Sequence, residues 1–271
     1  MDQAPADGVP VSTFARLVLA PNAGPMTLDG TNSYVLRAPG SDSVVVVDPG
    51  PSDPAHLAAL AGAGRVELVL VTHHHPDHTE SLGVFHAMTD APVRAIAPAL
   101  CLAGAPLVDG ERIRAGGLEI DVVGAPGHTA DSVCFALPGD RLVDAGDDAH
   151  GTVLTGDTVL GRGTTIIADP DGALGPYLDS LEALRALGTP GPVGVLPGHG
   201  PVLADLAEIC SAYLAHRAER LDQVRAALRE LGADAGAGAV TDLVYADTDA
   251  SVRSAAEASV RAQLAYLRSG G

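Results

Sequence analysis

The six residues His73-His74-His75-Pro76-Asp77-His78 constrain this chain more than any other stretch of it. They place His73, His75, Asp77 and His78, four good metal ligands, in one short loop directly after the apolar run Val66-Glu67-Leu68-Val69-Leu70-Val71. Imidazole nitrogen combined with carboxylate oxygen suits zinc and its neighbours, whereas calcium or magnesium would require oxygen ligands almost alone. A lone histidine after a strand is ordinarily a hydrogen-bonded core or surface residue. Clustering this many histidines has no packing benefit, so the run points to a metal. One tight loop cannot enclose an ion, and further ligands must arrive from elsewhere.

The other candidates all stand at the end of an apolar run bounded by glycine or proline. Asp48 follows Val44-Val45-Val46-Val47 and precedes Pro49-Gly50. His128 lies in Ala125-Pro126-Gly127-His128-Thr129, after Ile120-Asp121-Val122-Val123. Asp157 follows Thr152-Val153-Leu154 within Thr155-Gly156-Asp157-Thr158, and His199 follows Val193-Gly194-Val195-Leu196 within Pro197-Gly198-His199-Gly200. Short β-branched runs closed by turn residues read as buried strands, and the loops at their ends are where functional side chains are displayed. Taken singly, Asp-Pro-Gly and Gly-Asp-Thr are ordinary turn chemistry. Taken in order, they predict five strand ends converging on one rim.

This ordered set resembles the metallo-beta-lactamase superfamily, whose pattern is an Asp after a strand, HxHxDH, a His, an Asp and a final His. The match runs from Asp48 to His199. It implies an α/β (α+β) fold, a four-layer αββα sandwich around a dinuclear site that takes two zinc ions, with iron or manganese as alternatives. It further implies that His73, His75 and His128 hold one metal, that Asp77, His78 and His199 hold the other, and that Asp157 bridges both. Asp48 would stand outside the ligand set and orient the motif, as outer carboxylates fix histidine tautomers. Asp77 and Asp48 are the carboxylates assigned to catalysis, and His74 falls on the non-ligand x position.

With 271 residues the chain can bury one large core or one core plus an appendage. Helices are expected over Thr79 to Met88, capped by Thr79 or Asp77, and over Gly172 to Leu187, both on the outside of the sheets. A long helix is expected from Leu203 to Leu231, broken by the glycine-rich stretch from Gly232 to Gly238, then a segment from Val240 to Tyr245 and a last helix from Ser251 to Arg268. His56 and His86 are expected on exposed helix faces. These elements divide the chain into a catalytic domain, 1–204, and a small helical domain, 205–271. The first ten residues lack a basic start and an apolar run, and no stretch reaches membrane-spanning length, so a cytoplasmic protein is expected. Cys101, Cys134 and Cys210 are an odd, scattered set that suits small buried side chains in a reducing compartment.

The segments from Asn22 to Leu36 and from Tyr213 to Arg220 resemble the branch that contains beta-lactamase-like endoribonucleases, glyoxalase II-like hydrolases and thioesterases of carrier proteins. That likeness implies a winged-helix-like C-terminal domain. The substrates it suggests are a small-molecule or carrier-linked acyl ester or thioester, with single-stranded RNA as the alternative. A true beta-lactamase is disfavoured by Asp157 at the bridging position. The net charge of −18, from 16 basic and 34 acidic residues, repels polyanions and sits poorly with RNA. The 67 residues from Asp205 are less acidic, with seven arginines against ten carboxylates. There His216, Arg217 and Arg220 form a cluster able to hold a substrate phosphate or carboxylate. The sequence carries no signal for an oligomeric state.

Overall fold

The structure, a computed structural model, describes residues 8–144, 146, 150–189, 191–246 and 253–270. Two sheets stack face to face. The first has six strands in chain order: β1 (Val9–Pro10), β2 (Ala15–Leu19), β3 (Asn32–Leu36), β4 (Ser43–Val47), β5 (Arg65–Leu70) and β6 (Val93–Arg94). The second has five, β7 (Arg112–Ala115), β8 (Leu118–Gly124), β9 (Val133–Leu137), β10 (Thr152–Gly156) and β11 (Gly194–Pro197), in the order β11-β10-β9-β8-β7.

The period-two geometry of strands explains the layers. In β4, Val45 and Val47 face the second sheet and join Tyr34, Leu70, Ile120, Phe135, Leu154 and Leu196 in the central core. Val44 and Val46 face the other way, onto Leu57 and Leu60 of α1 (Pro54–Gly62) and onto Leu82 and Phe85 of α3 (Leu82–Thr89). On the outer face of the second sheet, Val153 and Val195 pack on Tyr177, Leu181 and Leu184 of α4 (Leu174–Leu187) and on Leu206, Cys210 and Tyr213 of α5 (Leu206–Leu231). The β-branched runs are continuous because both faces of these strands are covered. Helix, sheet, sheet and helix are the four expected layers.

Strand β4 runs parallel to β5, and β10 parallel to β11, while β8 and β10 are both antiparallel to β9. The C-terminal ends of β8, β10 and β11 therefore share one edge of their sheet, and those of β4 and β5 share one edge of theirs. Asp48, His73, His128, Asp157 and His199 follow these five ends.

The helices differ in detail from expectation. The segment after the histidine run splits into a short turn, α2 (Pro76–Thr79), and α3. Pro76 opens α2 because a first helical position needs no N–H. Neither Thr79 nor Asp77 caps α3; Ser81 stands at that position, and Thr79 Oγ1 instead donates to the His74 and His75 carbonyls. Helix α5 starts three residues later than expected, at Leu206, because the Asp205 carboxylate accepts from the Ala207 and Glu208 amides and fixes the N-terminus. Helix α6 (Ala237–Val244) begins inside the glycine-rich break, and α7 is described over Arg253–Arg268, with the expected start at Ser251 outside the described residues. Val224 and Ala227 of α5 pack with Val240, Val260 and Leu264 in a separate small cluster. Cys134 and Cys210 are buried and Cys101 half-buried, all as free thiols. Among the described residues, no helix is long and apolar enough to cross a membrane.

Candidate metal centre

The five strand ends bring the predicted residues together. His73, His75 and His128 form one group of facing donor atoms, and Asp77, His78 and His199 form a second. Asp157 groups with His73 from the first and His78 from the second, so it stands between them. His73 and His78 are buried, as is His199, whereas the His75 and Asp77 side chains stay 32% and 27% exposed and form the solvent side.

The hydrogen bonds settle which nitrogen of each ring faces inward. His128 Nδ1 donates to the Ile166 carbonyl at 2.8 Å and His199 Nδ1 to the Gly30 carbonyl at 3.0 Å. His78 Nδ1 lies 2.8 Å from Asp48 Oδ2, and His73 Nδ1 lies 3.1 Å from Thr72 Oγ1. His75 uses its other nitrogen outward, with Nε2 3.1 Å from Asp171 Oδ2. The inner nitrogens are then lone pairs pointing at one another. His75 Nδ1 is 3.0 Å from both His73 Nε2 and His128 Nε2, and His78 Nε2 is 3.3 Å from His199 Nε2. Asp157 Oδ1 is buried with no hydrogen-bond partner. Facing lone pairs and an orphaned buried carboxylate oxygen repel unless cations lie between them, so the donor set fits metal ions.

The same nitrogens attract protons. Burial opposes charge on His78 and His199, but the Asp48 and Asp157 carboxylates raise His78 well above its ordinary value, and Asp157 and Asp77 raise His199 to about 9. Burial pushes His73 and His128 down, and the surrounding histidines add to it. Burial would raise the Asp157 carboxyl, yet His78 and His199 hold it well below the usual carboxylate range. Metal and proton thus compete for one set of atoms.

Asp48 points away from the cluster centre. Its Oδ1 accepts from the Thr72 amide at 2.8 Å, and its Oδ2 accepts from Thr72 Oγ1 at 2.6 Å and from His78. It takes a left-handed backbone conformation, φ 50°, which aspartate tolerates in its Asp-Pro-Gly turn. Gly198, just before His199, is required for a different reason. A Cβ there would fall 2.5 Å from Asp157 Oδ1 and 2.9 Å from His78 Cε1.

The family described as the metallo-beta-lactamase superfamily matches residues 26–199. The chain belongs to the metallo-beta-lactamase superfamily. Membership places it among metal-dependent hydrolases. It is 33% identical over 233 residues to the lactamase-like protein aptB of Emericella nidulans, covering 83% of this chain and 69% of that one. It is 32% identical over 222 residues to an atrochrysone carboxyl ACP thioesterase of Aspergillus fumigatus, covering 79% and 65% of the two chains. A beta-lactamase domain protein from Burkholderia ambifaria shares the superfamily fold, with a TM-score of 0.77 over 100% of this chain and 91% of that one at 21% identity.

Several residues of the centre lacked a sequence signal. Asp131 and Asp171 clamp His74, with Asp131 Oδ1 2.7 Å from Nδ1 and Asp171 Oδ1 3.3 Å from Nε2. Thr72 and the loop from Thr165 to Ile166 hold His73 and His128. A Thr-x-Asp step after His128 was the one available hint, since Thr129 Oγ1 donates to Asp131 Oδ1. His56 overturns its expected exposure. It is buried, with Nε2 2.9 Å from Ser33 Oγ, and Ser33 donates to the Asp48 carbonyl, so the ring braces the turn that carries Asp48. His86 is half-buried, its Nδ1 donating to the Ala91 carbonyl. His216, Arg217 and Arg220 are not hydrogen-bonded to the seven donors; they line a separate pocket behind the His128 loop.

Proposed function

We propose that the protein is a dinuclear-metal hydrolase of acyl esters and thioesters, with a carrier-linked acyl thioester as the favoured substrate. The carrying observation is the seven-donor set in which Asp157 stands between two triads. In this reading His73, His75 and His128 would hold one ion and Asp77, His78 and His199 the second, with Asp157 available to both. Two zinc ions are the proposed load. When bound, such ions supply Lewis-acid polarisation of a carbonyl and water that ionises near neutral pH. The chain's residues do the rest. Asp48 and Thr72 fix the tautomers of His78 and His73, and Asp171 fixes His75. To Asp77, on the solvent side, we assign the role of taking a proton from the attacking water. Water adds to the acyl carbon, the carbon–sulfur bond breaks, and the products are a carboxylic acid and a thiol. No serine or cysteine nucleophile is required, and the buried Cys134 and Cys210 thiols, raised to about 12 by burial, are unsuited to the role.

The thioesterase relative supports the acyl choice, and the −18 net charge weighs against RNA. The division at residue 205 is proposed to mark where helices that shape the substrate rim begin, with the first half of α5 still packed on the sandwich as its outer layer. The test is a paired turnover assay on metal-analysed protein, with an acyl-thioester panel beside a fluorescent single-stranded RNA, each with and without chelator. Thioester turnover lost on chelation and restored by zinc is expected. His73→Ala and Asp157→Ala should lose metal and activity together, and full metal content with unchanged turnover in either would refute the assignment. Chelator-sensitive cleavage of RNA alone would move the protein to the ribonucleases.

A further inference from the structure

The pocket behind the His128 loop has a volume of about 230 Å3 and is walled by Thr165 and Ile166, by His216, Arg217 and Arg220 of α5, and by Tyr245. Among the described residues no carboxylate lines it, in a chain with 34 acidic residues. Arg217 is 5% exposed. Its Nη2 donates to the Thr165 carbonyl at 2.5 Å and its guanidinium lies 5.2 Å from the Tyr177 ring centre, yet its Nε is buried with no hydrogen-bond partner. His216 Nδ1 is likewise buried and unpartnered. Arg220 stacks 4.9 Å above the Tyr245 ring and donates from Nη1 to Gln223. Burial above all, and then the Arg217 and Arg220 charges, lower the His216 pKa against the opposing pull of Glu219. Unsatisfied buried donors cost stability, and a bound acceptor would satisfy them.

The pocket shares a wall with the metal centre. Thr165 receives Arg217 on its carbonyl, while its hydroxyl lies 3.1 Å from His128 Nδ1 and the next carbonyl, that of Ile166, accepts from the same ring. Whole-ligand pockets span roughly 300–1,000 Å3. This one suits one phosphate-sized portion of a longer ligand, and arginine's forked donors match a phosphate.

We propose that this pocket binds the phosphate on the arm through which a carrier presents its acyl thioester, an inference that rests on the thioesterase reading above. The test is calorimetric binding of 4′-phosphopantetheine, pantetheine and inorganic phosphate to the metal-loaded full chain, beside Arg220→Gln and, as a control on another face of the same helix, Arg225→Gln. The phosphorylated arm should bind at least about tenfold tighter than pantetheine. Arg220→Gln should erase that difference, and Arg225→Gln should keep it. Equal affinity for the two arms, or an unchanged preference in Arg220→Gln, would overturn the proposal. So would inorganic phosphate binding as tightly as the whole arm, which would mark a site for free phosphate. A preference erased by Arg220→Gln in a protein that hydrolyses no thioester would uphold the phosphate pocket and reject the thioesterase reading instead.

Discussion

Replacing Asp48 by asparagine would separate the role of holding a histidine from that of binding a metal. Asparagine keeps the shape, and it also tolerates the left-handed backbone at this position, so the turn should survive. One oxygen can still accept from the Thr72 amide. The other becomes an amide N–H2, a donor facing His78 Nδ1, which was itself the donor at 2.8 Å. Two donors cannot pair, so His78 must move its hydrogen to Nε2, the atom that faces His199 Nε2 at 3.3 Å and is the proposed ligand. A hydrogen bond to a charged group contributes about 1.5–3 kcal/mol. At about 1.4 kcal/mol per factor of ten, the loss is roughly tenfold to a hundredfold in affinity. The weakened site should be the one built from Asp77, His78 and His199. Titrating zinc into metal-free protein against a chromophoric chelator would resolve the two equivalents. Asp48→Asn is expected to weaken one of them by that factor. Wild-type affinity for both would show that the Asp48–His78 contact does not govern binding, and the reasoning would fall.

Gly198→Ala pushes a methyl group into Asp157 and His78, so metal stoichiometry should drop, with about 1–3 kcal/mol lost in denaturant unfolding of the metal-free protein. Wild-type stoichiometry would mean the loop can yield. Asp171→Asn removes the charge that fixes His75 but acts at a site 37% exposed, so zinc affinity should fall by about tenfold, the low end for such partners; no change in the chelator titration would refute a positioning role. Tyr213 accepts from the Leu160 amide at 3.1 Å and donates to the Gly163 carbonyl at 2.9 Å. Tyr213→Phe should cost about 1–3 kcal/mol in urea unfolding, the penalty for an unsatisfied buried group, and an unchanged midpoint would show that another group takes over the amide.

Much of the fold was readable because strands buried on both faces write themselves as unbroken β-branched runs. Val44-Val45-Val46-Val47 and Val193-Gly194-Val195-Leu196 became β4 and β11, each ending at a site residue. The helix ends were less readable, since whether Asp205 or an earlier residue caps α5 depends on which carboxylate meets the free amides. His56 misled for a similar reason. A histidine on a short helix carries no mark of facing inward, and its partner Ser33 lies 23 residues away in strand β3. Asp171 lies 96 residues from the His75 it holds, and no period or spacing links a carboxylate in an irregular loop to a ring that far away. The ligand types were legible; the groups that orient them were set by tertiary contacts.

Helix α5, 26 residues long, links the outer face of the second sheet to α6 and α7. Its first half, with Leu206, Cys210 and Tyr213, is part of the floor beneath the second sheet, and Arg217 grips the loop that steadies His128. Its second half anchors α6 and α7. Cutting the chain at its start, before Leu206, would therefore strip the catalytic half of a supporting beam. An engineer grafting a different C-terminal unit onto this sandwich should splice beyond Leu221, inside the helix, and keep the turn that carries Arg217.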